Sequence, residues 1–143
     1  AMSGWAAIDP GRSKCGLALS DPSQTQIVAA TVLAPEACWQ QLNQWQNNGV
    51  CEGVLLGDGT GSQIWLQRLR SLPLELRVVP EAGTTLAARQ RYWELEPPRG
   101  WRRLLPKGLR VPPRDIDDVV AQLLLERHFG RSLQRSLEHN STA

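Results

Sequence analysis

Nowhere in its 143 residues does the chain hold an apolar run approaching the roughly 20 residues that span a bilayer, which argues against a membrane protein. Nor does it begin with a basic flank and an apolar segment, so no secretory leader is expected. Three cysteines (Cys15, Cys38 and Cys51) match no zinc spacing, and their odd number argues against a disulfide framework. They read as reduced thiols, expected of a cytoplasmic protein. Histidine is scarce: His128 and His139 come late and read as surface residues, which leaves acid–base chemistry to carboxylates. Internal repeats and low-complexity segments are also missing. What remains is 41% hydrophobic and 21% charged, a composition that supports one globular core.

The net charge of +2 hides an asymmetry. Residues 1–88 carry five basic and seven acidic side chains, whereas residues 89–143 carry eleven basic and seven acidic. Fourteen of the sixteen basic residues are arginine, whose planar fork matches phosphate better than the point charge of lysine. Between Arg99 and Arg114 lie six positive side chains and no negative one. This block reads either as a polyanion-binding loop or as a solvated loop kept soluble by its charge.

Three short apolar runs, Trp5–Asp9, Cys15–Ser20 and Ile27–Leu33, are joined by loops too short for a crossover helix. They predict an antiparallel meander. Pro35 opens a helix to about Asn48, Val50–Leu56 reads as a strand, and Ser62 starts a second helix through Leu69. Leu74–Val79 and Thr85–Glu94 predict a further strand and helix. The proline-rich stretch Glu96–Pro113 reads as a loop, and Asp115–Phe129 as a last helix with Asp115 at its N-cap. The order β-β-β-α-β-α-β-α-α predicts an α/β domain over residues 1–130, a mixed five-stranded sheet with helices on its faces. Residues 131–143 read as a polar, flexible tail.

Ligands in such sheets gather at the carboxyl ends of parallel strands, and that is where the acids fall. Asp9 ends the first strand, with Gly11 leaving room for a large anion beside it; the alternative is an aspartate that closes a turn. Glu81 follows the fifth strand, as a site acid or as a helix-entry acid. Asp58 ends the fourth strand, as a site acid or as an Asp-Gly turn. Projected at about 100° per residue, Asp117 falls at the margin of the last helix's apolar face, whereas Asp118 and Gln122 fall on its polar side. Carboxylates gathered at one edge near arginines suggest hard divalent cations, with paired Mg²⁺ or Mn²⁺ ions serving phosphodiester hydrolysis.

The string IDPGRSKCGLALSD from Ile8 to Asp21 resembles the opening motif of the YqgF/RuvX family in the ribonuclease H-like superfamily. PEAGTT at Pro80–Thr85 and IDDVVAQLLLE at Ile116–Glu126 resemble its later motifs, in the right order and spacing. The resemblance implies a ribonuclease H-like fold and a metal-dependent nuclease acting in 5′ maturation of pre-16S rRNA, or a Holliday junction resolvase. It also implies a cytoplasmic location, an rRNA precursor or branched DNA as partner, and no membrane. The family's three acids fall on Asp9, Glu81 and Asp117, as catalytic residues and metal ligands. Gly11, Arg12, Lys14, Thr84, Arg99, Arg102, Arg103 and Arg114 are then expected to hold the substrate. Pro80 and Ala82 stand where the family has Asp and Arg, and Gly57-Asp58-Gly59 where it usually has Gly-x-Pro.

These departures keep a catalytically weakened nucleic-acid binder as an alternative. Junction resolution needs a homodimer, and the sequence does not choose between monomer and dimer. Of the six tryptophans, Trp5, Trp39, Trp45 and Trp65 are expected to pack, and Trp101, beside Arg99 and Arg102, to stack on bases. Kinase-like ATP chemistry is set aside because it needs two related domains, and this chain has room for one.

Overall fold

The computed structural model describes residues 3–137. Strands β1 (Gly4–Asp9), β2 (Cys15–Ser20) and β3 (Gln26–Leu33) form the expected meander. Helix α1 (Pro35–Asn47), strand β4 (Cys51–Gly57), helix α2 (Ser62–Leu69), strand β5 (Glu75–Val79), helix α3 (Thr84–Leu95) and helix α4 (Asp117–Phe129) follow in the expected order. A short strand, β6 (Gln134–Arg135), is added within the segment expected to be a tail. The sheet therefore has six strands rather than five, in the order β5-β4-β1-β2-β3-β6. Residues 138–143 of the expected tail, His139 among them, lie outside the described residues. Among the described residues no helix is long and apolar enough to cross a membrane.

The two faces of the sheet are built from different side chains. Ile8, Leu17, Leu19 and Leu56 pack one face against Leu42 and Trp45 of α1 and Trp65 and Leu69 of α2. On the other face Ala7, Ala18 and Ala30 lie side by side across β1, β2 and β3. Their small side chains let α4 approach through Ala121, Leu124 and Leu125. Gly16 extends this row of small residues: a Cβ there would collide with the backbone carbonyl of Asp117. Cys15, Cys38 and Cys51 are free and buried within the α1–α2 side of the core.

Helix α4 departs from the amphipathic pattern expected of it. Every residue from Asp118 to Glu126 is buried, because the sheet, α3 and the 133–135 segment enclose the helix. Its N-cap is Ile116, not Asp115; the Asp115 carboxylate instead pairs with Lys14 at 2.5 Å. The supposed polar side is a buried polar seam. Asp118 bonds Arg114 (2.9 Å) and Arg135 (3.1 Å), and Glu126 bonds Arg91 (2.9 Å). Gln122 accepts from Arg135 (2.7 Å) and donates to the Leu133 carbonyl (3.2 Å), while the Leu133 N–H donates to Glu126 (2.8 Å). No buried side-chain polar atom among the described residues lacks a partner. The seam holds fully buried Leu133 in place and so lays β6 against β3.

Removing one member of a buried ion pair strands its partners, which typically costs about 3–5 kcal/mol. Asp118→Ala and Glu126→Ala should therefore each lower stability by about 3 kcal/mol in urea unfolding, with early amide exchange at residues 133–136. Gly16→Ala should cost about 2–3 kcal/mol through overpacking against α4. A stability unchanged from the parent chain in the same unfolding series would contradict this packing.

Candidate functional site

Parallel pairing sets the edge on which the site is built. Ile8 lies opposite Leu56, and Gly57 opposite Val79, so β1, β4 and β5 end together. Asp9 closes β1 at this edge, and Glu81 stands two residues beyond β5. Asp9 is also the cross-strand partner of Gly16, whose missing side chain admits the Asp117 backbone. The first residue of α4 thus arrives one strand away from Asp9.

Glu81 is clamped from several sides. Its backbone N–H donates to Asp58 Oδ1 (3.0 Å), and its carbonyl accepts from the Thr84 N–H (3.0 Å) and hydroxyl (2.6 Å). Its carboxylate folds back over the β4 end, where the Gly59 N–H donates to Oε2 at 2.5 Å. A Cβ at Gly57 would come within 2.6 Å of the Glu81 carboxyl carbon, and one at Gly59 would also strike this carboxylate. The Gly57-Asp58-Gly59 loop is therefore a seat for Glu81. Asp58, exposed and bonded to the Glu81 main chain, orients the glutamate. Gly83 takes a left-handed φ of 77° at the N-cap of α3, a conformation side chains disfavour, and so turns the chain sharply after Glu81.

Asp9 senses the other two acids. Burial is the largest influence on Asp9, followed by a hydrogen bond with Glu81 and repulsion from Glu81, Asp117 and Cys15. Together they push its carboxyl up to about 9, so Asp9 keeps its proton at neutral pH. Asp117 is raised as well, by burial and by Asp115 and Asp118, with Lys14 pulling the other way. Lys14 is raised by its hydrogen bond to Asp115. Among the described residues no group of three or more His, Cys, Asp or Glu side chains is arranged to hold a metal ion. In donor type the three acids offer the carboxylate oxygens that a hard divalent cation takes.

The residues expected to hold substrate divide into two groups. Arg12 and Lys14 are exposed on the β1–β2 turn, and Arg99 and Arg103 on the loop between α3 and α4. Arg102 stacks on Trp101 at 4.8 Å, and Trp101 is 63% exposed. Gly11 lies within the turn, where a Cβ would strike the Lys14 carbonyl. Thr84, in contrast, is buried and spends its hydroxyl on Glu81. Arg114 is exposed, but it is bound by Glu96 (2.6 Å) and Asp118 (2.9 Å) and lies over the Tyr92 ring, so its charge anchors the loop. His128 is exposed beside Arg77 and Trp5, away from the acids. Sequence reasoning missed the Glu81 seat and the Lys14–Asp115 pair. The paired glycines around Asp58 were the available signal for the seat.

No family model matches the chain, and no curated protein matches it. The site's chemistry therefore rests on these residues alone.

An Asp free in the unfolded chain titrates near 3.8, whereas Asp9 in the fold titrates at about 9. Between those values the folded protein binds the extra proton, so this group's contribution to stability falls as pH rises. Asp9→Asn should gain on the order of 1–2 kcal/mol over the parent at the alkaline end, after allowing for solvent screening, and nothing near pH 3.8. Parallel thermal melts across this range check it; equal offsets at both ends would contradict it.

Proposed function

We propose that the chain is a divalent-metal-dependent endonuclease of ribonuclease H-like fold that hydrolyses phosphodiester bonds of structured nucleic acid, with 5′ maturation of pre-16S rRNA as its leading role. The observation that carries this reading is the electrostatic coupling of Asp9, Glu81 and Asp117, residues from three separate parts of the chain, at one sheet edge. The strand order β5-β4-β1-β2-β3, with β2 antiparallel to its neighbours, supports the ribonuclease H-like assignment. The resemblance of the three motifs to the YqgF/RuvX family supports the same reading, and with it a cytoplasmic location.

Asp9, Glu81 and Asp117 would hold Mg²⁺ or Mn²⁺, as one ion or a pair. Bound there, the cations supply Lewis-acid activation of a water and stabilisation of the leaving oxygen. To serve as a ligand, Asp9 must give up its proton, so loading strengthens as pH rises. Glu81 is held in position beforehand by Gly59, Asp58 and Thr84, which spares the cost of ordering it. Lys14 and Arg12 lie on the turn that follows Asp9 and would receive the phosphate backbone beside the cut bond.

A second reading, a nucleic-acid binder with little catalysis, is favoured by the proton that Asp9 keeps and by Pro80 and Ala82 in the Glu81 segment. Cleavage of a pre-rRNA fragment with Mg²⁺ or Mn²⁺ separates the two. The nuclease reading predicts products with 5′-phosphate ends and losses of at least about a hundredfold in Asp9→Asn and Asp117→Asn. Cleavage that survives both substitutions would overturn it, and tight, EDTA-insensitive binding without cleavage would establish the binder.

A further inference from the structure

Between α3 and the loop that follows it lies a cavity of about 410 Å³, within the size range of small-molecule sites. Leu86, Trp93 and Pro98 supply apolar wall, and Arg89, Lys107 and Arg110 supply positive charge. Glu94 is the one acid at its lining, and it is already paired with Arg91 at 3.0 Å. The cavity is therefore apolar at its wall and uncompensated in positive charge.

Its framework is fixed from within. Glu96 and Arg114 bridge the two ends of the loop at 2.6 Å. The Arg110 guanidinium donates to the carbonyls of Arg102, Leu105 and Arg103, each at 3.1 Å, so it contributes field without freedom to move. Trp93 donates its indole N–H to the Arg110 carbonyl at 3.3 Å, which ties the aromatic wall to the loop. Arg89 and Lys107 are exposed and remain available to an anion.

Helix α3 links the carboxylate edge to the cavity. Helix α3 starts three residues after Glu81, and Leu86 lies in its first turn. From Leu86 to Trp93 the helix advances about 10 Å, the reach of one or two nucleotides of extended strand. We propose that this cavity takes one nucleotide of a single-stranded segment flanking the cut site, its base against Trp93 and Pro98 and its phosphates on Arg89 and Lys107. The inference rests on reading the carboxylate edge as a nucleic-acid site, and it adds a preference for unpaired flanks. An acidic peptide would satisfy the cations, but it has no flat ring for the aromatic wall. A duplex is too wide to enter.

The test is binding in EDTA, so that it is independent of cleavage. The full chain is titrated with a fluorescein-labelled single-stranded RNA of about 12 nucleotides, with the same strand in a blunt duplex, and with an acidic peptide. Two variants are compared: R89E/K107E, which reverses the charge, and Gly108→Trp, which fills the mouth. Gly108 has open space around its Cβ position and no left-handed φ, so the second variant leaves the fold intact. Both should weaken single-strand binding about tenfold and change duplex binding much less. Equal losses for single strand and duplex, no loss in either variant, or binding of the peptide but not the RNA would each overturn the proposal. Absent cleavage in the separate Mg²⁺ or Mn²⁺ assay, alongside the expected binding losses in EDTA, would sink the nuclease reading and leave the single-strand cavity standing.

Discussion

The arrangement of this molecule depends on a contact between backbones. At Gly16 the β2 strand presents no side chain, and the carbonyl of Asp117 occupies the space that a Cβ would fill. The alanine row Ala7–Ala18–Ala30 continues this smooth surface, so α4 lies close to the sheet along its length. Because Gly16 pairs with Asp9, the same contact brings two acids about a hundred residues apart in sequence to one edge. Close packing and like-charge repulsion are thereby coupled. The apolar burial along α4 holds together carboxylates that would separate if free, and Asp9 answers by keeping a proton.

Two adjacent acids at the head of α4 show how differently neighbours can be used. Asp118 points into the buried seam with Arg114 and Arg135, where its charge is compensated and structural. Asp117 faces the edge, where its charge is opposed by Asp115 and only partly offset by Lys14. The uneven division of charge along the chain has the same two uses. Some of the late arginines, Arg91, Arg114 and Arg135, neutralise buried acids inside the domain. Others, Arg89, Arg99 and Arg103, remain at the surface, Arg89 with Lys107 at the α3 cavity.

Much of the fold was legible from local pattern. Short β-branched runs and turn residues marked five strands, and Pro35, Ser62 and the leucines of 119–125 marked helices. The sixth strand was not legible, because Gln134-Arg135 has no strand pattern of its own. It pairs because Leu133 is buried and Glu126 captures its N–H, interactions that span seven residues and a turn. The helical projection placed Asp117 at the margin of the apolar face, and it is half-buried there. The same projection sent Asp118 and Gln122 toward solvent, since periodicity reports which face is polar and not whether arginines cover it. At the site, Asp9 and Glu81 were readable as strand-end acids, whereas the seat formed by Gly57 and Gly59 required knowing that β4 and β5 end together.

The proposed function depends most on Asp9, Glu81 and Asp117 acting as one coupled cluster that takes a cation. Carboxyl-carbon NMR titration of the full chain, with and without Mg²⁺, addresses this directly. The account predicts that Asp9 holds its proton to about pH 9 without the cation, and ionises at markedly lower pH when the cation is present. An Asp9 that titrates in the ordinary carboxylate range in both conditions would contradict it.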